Sequence, residues 1–384
     1  MVKLDDFRAA SLVELTAALY ARAFSSFDLM ELVLSRIDAT RDTLHAVVSQ
    51  RERTELLAEA RAAGERIARG ESRPLEGIPL GVKDLEDVAG LVTSQGSIPF
   101  RDDKATRDST QVERLRAAGA IVIGKTNTPE FGYTAITKNL IHGVSRSPWN
   151  LERTPGGSSG GSAAALAGSV LPLVTASDGG GSIRIPASFT GAFGLKPSFG
   201  RIPLGPVDHW GYGDTAVYGP LTKTVEDAAL FLDQVVGPSP YDPNSLPHPG
   251  LSYLEAVRTP LNGKLRIAFS PDLGYAVVQS DVAAAVEAGA RVLESLGHRL
   301  NALPDGPPMI GPQWGMLGSF ELASQLHPWL PAREHDFGRA FLAGVRTGWE
   351  MTPELWGEGV MLHPARTDER NARPKSGSRA GSHG

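Results

Sequence analysis

The sequence contains no cysteine, and this absence removes several kinds of chemistry at once. Disulfide bonds, thiolate nucleophiles and zinc or iron–sulfur sites with cysteine ligands are all excluded. The nine histidines show no spacing typical of metal ligands. We therefore predict that the protein uses neither a metal ion nor an organic cofactor.

Concentrated positive charge and long apolar runs are lacking as well. The 38 basic and 43 acidic residues are spread along the chain and give a formal net charge of -5. Without a basic stripe, we predict no binding to nucleic acid and none to a membrane surface. No apolar run approaches the roughly 18–20 residues that span a bilayer. We expect a soluble, cytoplasmic protein that acts on a small molecule, alone or as a homodimer.

The composition that remains is that of a globular protein with a sizeable core, at 41% hydrophobic and 21% charged residues. Residues up to about 70 show helical spacing, with Ser11 as an N-cap and further helices from about Ser26 and Arg53. After that, apolar strands alternate with helices, which predicts an α/β architecture. The predicted strands lie at 77–84, 120–124, 171–176 and 264–269, and the later helices at 109–118, 162–168, 223–236 and 281–296. Residues 366–384 have no large apolar side chain, so we predict a disordered polar tail.

Two glycine- and serine-rich clusters, residues 156–162 and 179–182, are the least ordinary feature of the chain. As flexible linkers they would join domains, but each adjoins apolar secondary structure. As a phosphate-binding loop, the first cluster has serine at position 162 where a lysine is required. A nucleophile elbow centred on Ser158 or Ser159 would imply a Ser-His-acid triad, but no apolar strand precedes it.

A fourth interpretation uses both clusters together with a lysine. The backbone N–H groups of Gly179, Gly180 and Gly181 are unobstructed by side chains and are suited to an oxyanion hole. Ser182, the next residue, would carry the nucleophilic hydroxyl, which needs a base to remove its proton. A buried, neutral lysine can serve as that base. Lys83 and Lys125 both lie at the end of an apolar strand, and the residues alone do not choose between them.

The motifs closely resemble those of the amidase signature family over roughly residues 8 to 300, and most strongly over 70–230. The resemblance rests on Gly-Gly-Ser-Ser-Gly-Gly-Ser-Ala-Ala-Ala (156–165), Asp-Gly-Gly-Gly-Ser-Ile-Arg-Ile-Pro-Ala (178–187) and Gly-Leu-Lys-Pro (194–197). Residues 77–84, 124–131 and 219–227 are similar to other segments of that family. It implies one large domain over residues 1–365, with a mixed β-sheet surrounded by helices and a short C-terminal part.

The resemblance also implies a role for individual residues. Lys83 matches the catalytic lysine, Ser158 the bridging serine after a cis peptide bond, and Ser182 the nucleophile, so that Lys125 becomes structural. Around them, Ser159 is expected to satisfy nearby backbone groups. Asp178 and Arg184 are expected to hold the glycine turn through hydrogen bonds and a salt bridge. Aromatic residues that either line a substrate pocket or belong to the core are Phe131, Tyr133, Trp149 and Trp210.

The activity implied is hydrolysis of linear carboxylic amides through an acyl-enzyme on Ser182. One alternative is the A-type chain of a glutamine-dependent amidotransferase, which Ile185 disfavours because such chains usually carry glutamine at that position. Another is an inactive, truncated homologue that acts as a binding protein. A Ser-His-acid hydrolase would depend on a histidine and not on Lys83.

Overall fold

The computed structural model describes residues 3–206, 215–303, 306 and 308–355. It divides into two compact units, a first unit of Met1–Arg258 with Glu321–Arg346 and a second unit of Thr259–Phe320 with Thr347–Gly384. The predicted tail at 366–384 lies outside the described residues, and the predicted domain boundary at 365 stays a prediction. In the part of the chain that is described, no helix is both long and apolar enough to cross a membrane.

The first unit is built on a six-stranded mixed sheet in the order β1-β3-β2-β6-β8-β7. Its central strands β3, β2 and β6 run parallel, while β1, β8 and β7 pair antiparallel with their neighbours. A separate hairpin joins β4 to β5. The strands are β1 (Val47–Gln50), β2 (Pro79–Lys83), β3 (Ile121–Thr126), β4 (Lys138–Asn139), β5 (Gly143–Val144), β6 (Leu173–Asp178), β7 (Phe193–Gly194) and β8 (Val217–Thr222).

Helices surround this sheet, and several begin at the caps that the sequence indicates. Ser11, Ser25 and Thr224 each accept a hydrogen bond from the backbone three residues on and form capping boxes. The helices up to residue 258 are α1 (Leu4–Ala9), α2 (Leu12–Tyr20), α3 (Ser26–Leu44), α4 (Arg53–Ala68), α5 (Thr110–Ala117), α6 (Gly160–Ala167), α7 (Arg184–Thr190), α8 (Val225–Val235) and α9 (Tyr253–Arg258). The predicted α/β class, with a mixed sheet surrounded by helices, is confirmed.

The main core lies between the sheet and these helices. Every residue of β2, β3 and β8 is buried, which explains why these strands read as continuous runs instead of alternating patterns. Charged and polar residues at the ends of such strands are therefore drawn into the interior. Lys83 and Lys125 are the clearest cases, with 1% and 0% of their surface exposed.

A second hydrophobic cluster in the first unit, which we call the aromatic cluster, joins distant parts of the chain. Phe131 packs edge-on against Phe100 and is stacked with Phe337 and Phe341. Segments that supply its other members are α12 (Leu330–Arg333) and α13 (Arg339–Gly348), together with the last turns of α11 (Gly311–Leu326). The sequence predicted no structure for this C-terminal segment.

The second unit contains a two-stranded parallel sheet. Its strands, β9 (Arg266–Phe269) and β10 (Arg299–Ala302), are joined through α10 (Ser280–Ser295). This β-α-β order agrees with the strand at 264–269 and the helix at 281–296 predicted from the sequence. None of the described residues of α10 is buried.

Candidate active site

Lys83 ends strand β2, and its side chain points into a pocket of serine hydroxyls. Its Nζ atom lies 2.7 Å from Oγ of Ser158, 2.9 Å from Oγ of Ser159 and 2.9 Å from Oγ of Ser177. A backbone bond from the Lys83 N–H to Oγ1 of Thr175 on neighbouring β6, at 3.0 Å, fixes the end of the strand. Sequence reasoning placed Lys83 beside Ser158 only through the family resemblance, and the structure brings the two together.

The environment of Lys83 favours a neutral amine. Burial lowers its pKa to about 7, although the negative charges of Asp178 and Glu86 act in the opposite direction. No carboxylate forms a salt bridge with this amine among the described residues, and its nearest partners are hydroxyl groups. At neutral pH a substantial fraction of Lys83 is therefore unprotonated and able to accept a proton.

The two serines beside Lys83 lie at the start of α6. The Gly157–Ser158 peptide bond is cis, as the family resemblance implies. Ser159 is the N-cap of α6, and its hydroxyl donates to the Ser177 carbonyl at 3.2 Å. Its backbone N–H donates to the Ser182 carbonyl at 3.2 Å. This bond ties the two glycine–serine clusters together and brings the backbone of Ser182 next to the Ser158–Ser159 pair.

Ser182 lies in a loop between β6 and α7 that one carboxylate organises. Asp178 accepts hydrogen bonds from the N–H groups of Gly181 at 2.7 Å and Ile183 at 3.2 Å. The guanidinium of Arg184 adds a bidentate pair to the same carboxylate, both bonds at 2.9 Å. Burial would raise the pKa of Asp178, but the bonds from Arg184 and the backbone lower it overall, so the carboxylate stays ionised.

These contacts match the supporting role expected for Asp178 and Arg184. Ser182 itself is half-buried, and the N-cap of α7 is Ile183, so Ser182 does not cap that helix. Among the described residues its hydroxyl makes no hydrogen bond, which leaves it available to a substrate. The Ser177 hydroxyl, at the end of β6, is a further partner of Lys83.

The structure differs from the prediction at one member of the expected oxyanion hole. Because the Gly181 N–H donates to the Asp178 carboxylate, it cannot at the same time donate to a substrate oxygen. Within the described residues, the N–H groups of Gly180 and Ser182 have no protein acceptor. An oxyanion hole at this loop would therefore use these two groups with Gly179, and Gly181 would instead shape the turn at its φ of +121°.

The second buried lysine, Lys125, belongs to a different polar group. In the β2–β3 register Lys125 pairs with Val82, so its side chain and that of Lys83 point to opposite faces of the sheet. Lys125 Nζ donates to the Glu86 carbonyl and to Thr93 Oγ1, and lies 3.8 Å from the Asp84 carboxylate. Lys125 contacts none of the three serines that surround Lys83, which agrees with a structural role.

A glycine forms the wall behind Ser158. Gly132 has a φ of +68°, and a Cβ atom placed there would lie 3.2 Å from Ser158 Oγ and 2.7 Å from Leu85 Cδ1. The preceding Glu130 and Phe131 anchor this segment. Glu130 accepts hydrogen bonds from Ser97 Oγ at 2.5 Å and from the Gly338 N–H at 2.9 Å. Sequence reasoning missed Gly132 and Glu130 because their partners are distant in the chain.

The aromatic residues are placed differently from one another. Phe131 is buried in the aromatic cluster and is a core residue, and Tyr133 packs beside it on Phe341. Trp149 is 72% exposed and borders a separate cavity. Trp210 lies outside the described residues. Among the residues that are described, no group of three or more histidine and acidic side chains is placed to hold a metal ion.

Comparison with known proteins agrees with this fold. The family model described as Amidase matches residues 28–310. An acylamidase of Rhodococcus erythropolis is 38% identical over 310 residues, which cover 79% of this chain and 62% of the relative. The A-type chain of glutamyl-tRNA(Gln) amidotransferase from Pseudomonas syringae is 40% identical over 291 residues, 75% of this chain and 59% of the relative.

The same relationship is seen among solved structures. A bacterial aryl acylamidase of the amidase signature family superposes with a TM-score of 0.86 at 27% identity, over 94% of this chain and 77% of that one. The chain therefore belongs to the amidase signature family. The matched part of it spans about three fifths of the length of these two curated relatives.

Proposed function

We propose that this protein hydrolyses linear carboxylic amides through an acyl-enzyme on Ser182. The observation that carries the proposal is the 2.7 Å contact between Nζ of Lys83 and Oγ of Ser158, made by a buried lysine with a pKa of about 7. An amine in this state can take a proton from a serine hydroxyl, whereas an ordinary surface lysine cannot. The acylamidase relative and the aryl acylamidase structure support the reaction class.

In the proposed reaction, neutral Lys83 accepts the proton of Ser158 while Ser158 accepts that of Ser182. The Ser182 oxygen then attacks the amide carbonyl carbon, and the carbonyl oxygen becomes an oxyanion. N–H groups at the loop of residues 179–182 would stabilise that charge, each donor contributing about 2.7–4 kcal/mol. Loss of the amine requires a proton because an amide anion is a poor leaving group, and Ser158 would return it.

The second half of the reaction consumes water. Water attacks the acyl carbon of the ester on Ser182, and its proton passes through Ser158 to Lys83. The bond between the acyl carbon and the Ser182 oxygen then breaks, Ser158 returns the proton to that oxygen, and the carboxylic acid leaves. Each step uses only serine hydroxyls, the lysine amine and backbone N–H groups. The substrate that we propose is a small amide.

Mass measurement of the intact protein after treatment with a fluorophosphonate tests the proposal. We expect a single adduct on the wild type, none on Ser182→Ala, and an unchanged adduct on Ser188→Ala, because Ser188 is an exposed serine within α7. Hydrolysis of aryl and alkyl amides would then be screened with the same three proteins. A folded wild type that forms no adduct would rule out an activated Ser182.

The 40% identity to an A-type amidotransferase chain favours a second candidate function, in which the protein releases ammonia from glutamine for partner chains. Ile185 argues against this function, because such chains usually carry glutamine at that position. The apolar Ile185 side chain also lies at the serine loop, where its Cδ1 would be 2.7 Å from a Cβ atom placed on Gly181. Glutamine and simple amides can be compared as substrates of the isolated protein. If glutamine were the only one of these substrates to be hydrolysed, the result would favour the amidotransferase function. Hydrolysis of aryl amides would favour the amidase.

A further inference from the structure

A second cavity of the first unit lies at the far ends of the two helices that begin beside the candidate catalytic serines. It has a volume of about 520 Å³. Helix α6 begins directly after Ser159 and its C-cap, Gly168, lines the cavity. Helix α7 begins just after Ser182 and ends at Thr190 in the same wall. With a rise of 1.5 Å per residue, an eight-residue helix separates the cavity from the serines by roughly 12 Å.

The charged side chains that line this cavity are all basic. They are Arg8, Arg36 and Lys223, and none of the lining residues that the structure describes is acidic. Lys223 is fully used, because its Nζ donates to the carbonyls of Phe7, Arg8 and Ala10 at 2.9–3.2 Å. Lys223 still adds positive charge to the cavity, but the N–H donors that remain for a ligand come from the two arginines.

The two guanidinium groups face the same space without a shared counter-ion. Arg36 donates through Nε and one Nη to the carbonyls of Ser169 and Gly168, at 3.2 and 3.0 Å, and this leaves its other Nη atom. It forms no salt bridge within the described part of the chain. Burial, followed by the positive charge of Arg8, lowers the pKa of Arg36. The carboxylate beside Arg8 is that of Asp5, 3.5 Å away and 93% exposed.

A flat apolar surface lies at the edge of the same cavity. Trp149 is 72% exposed, an unusual state for the largest apolar side chain. Its orientation is nevertheless fixed, because the indole Nε1 donates to the Thr190 carbonyl at 2.7 Å. A ring held in this way offers a stacking face at little cost in side-chain entropy.

We propose that this cavity is a second binding site, which takes a small aromatic carboxylate. The acid group would bind between Arg8 and Arg36, where planar guanidinium groups form paired hydrogen bonds to carboxylates. The ring would lie against Trp149. This site is separate from the serine site and does not depend on the proposed hydrolysis.

Benzoate is a suitable probe, with benzyl alcohol as its uncharged counterpart and inorganic phosphate as an anion without a ring. Protein labelled with fluorotryptophan gives one ¹⁹F signal per tryptophan, and Trp149→Phe identifies the signal of Trp149. We expect benzoate to shift this signal in a saturable manner. Benzyl alcohol and phosphate should bind at least about tenfold more weakly, since each lacks one of the two contacts.

A pair of variants at Thr43 tests the charge directly. Thr43 is exposed at the end of α3 and lines the cavity, so a longer side chain is tolerated there. Thr43→Glu places a carboxylate beside the arginines and should raise the Kd for benzoate at least about tenfold. Thr43→Gln introduces an uncharged side chain of the same shape as glutamate and should leave the Kd nearly unchanged. Arg8→Gln should weaken binding by a similar factor, and circular dichroism would verify that each variant folds.

Three results would overturn the proposal. The first is a Trp149 signal that does not move, or moves without saturation, over the benzoate titration. The second is equal affinity of the folded Thr43→Glu and Thr43→Gln variants, which would show that benzoate binds away from this charge. The third is equal affinity for benzoate and benzyl alcohol, which would show that the arginines do not recognise the acid.

Discussion

Nζ of Lys83 lies 2.7 Å from Oγ of Ser158, although 75 residues separate the two along the chain. The contact exists because β2 ends at Lys83 beside the start of α6, and both elements are buried. The lysine has hydroxyl groups as partners in place of a carboxylate, and this distinguishes a proton acceptor from a structural ion pair.

Replacing each buried lysine by methionine should separate chemistry from stability. Lys83→Met keeps the apolar stem and removes the base, so we expect amide hydrolysis to fall by about 10²–10⁴-fold in a protein that still folds. Lys125→Met should instead leave Asp84 without its cationic partner and cost about 3–5 kcal/mol of stability. Steady-state hydrolysis and urea unfolding, measured on both variants, check this prediction.

The opposite behaviour of the two variants would contradict the assignment of Lys83 as the base. If folded Lys125→Met lost fluorophosphonate labelling while Lys83→Met kept it, the base would lie on the other face of the sheet.

Activity should increase with pH through the region around 7. Burial lowers the pKa of Lys83 to about 7, and only the neutral amine accepts a proton. We therefore expect kcat/KM to be half of its plateau near pH 7 and to decline below it. The pH–rate profile of an amide with an uncharged leaving group measures this, and a profile that is flat between pH 6 and 8 would contradict it.

The same shift has a consequence for stability. Between pH 7 and about 10.4, the unfolded chain binds a proton at Lys83 and the folded chain does not. The contribution of this group to the free energy of unfolding must then rise with pH across that window. Lys83→Met lacks the contribution, so the wild type should gain stability relative to the variant between pH 7 and 10. Urea unfolding at several pH values tests for this divergence.

Asp178 should matter for the rate because it shapes the nucleophile loop. An asparagine at this position cannot accept all the bonds from Gly181, Ile183 and Arg184, so Ser182 would shift. A displacement of about 1 Å can cost about 10²-fold in rate, and we expect labelling of Asp178→Asn by a fluorophosphonate to slow by that order.

A matched control for this change is Asp233→Asn. Asp233 also accepts two backbone N–H bonds, from Tyr253 and Leu254, but it supports α9. This variant should lose stability and keep the labelling rate. Equal slowing of both variants would mean that the effect of Asp178 is general loss of structure.

Sequence reasoning recovered the central strands because their apolar runs are continuous. It proposed Ser182 as the nucleophile from the residues alone. The choice of Lys83 over Lys125 and the bridging role of Ser158 came only from the family motifs, since two buried lysines at strand ends were equivalent by residue type. The lysine–Ser177 contact depends on how β2 pairs with β6, which the register decides and no local pattern reveals. The bond between Glu130 and Gly338 spans 208 residues, and so the aromatic cluster could not be foreseen either.

Gly132 gives the sharpest test of how the site is held, because its missing side chain makes room for Ser158. An alanine at this position meets three problems: a left-handed backbone, a Cβ atom 2.7 Å from the flexible end of Leu85 at Cδ1, and the same Cβ atom 3.2 Å from Ser158 Oγ. The backbone alone costs about 1–2 kcal/mol. The contact with Ser158 should in addition reduce kcat by about tenfold or more, as the hydroxyl is pushed away from Lys83.

Gly143 separates these two effects. It has nearly the same backbone, with a φ of +75°, but a Cβ atom there meets nothing within 4 Å. Gly143→Ala should therefore lose only the stability that the left-handed backbone costs, while its kcat stays that of the wild type. Thermal unfolding and steady-state kinetics of the two variants give the comparison. If folded Gly132→Ala kept the kcat of Gly143→Ala, Ser158 would tolerate movement, and the proposed proton path through it would lose its geometric basis.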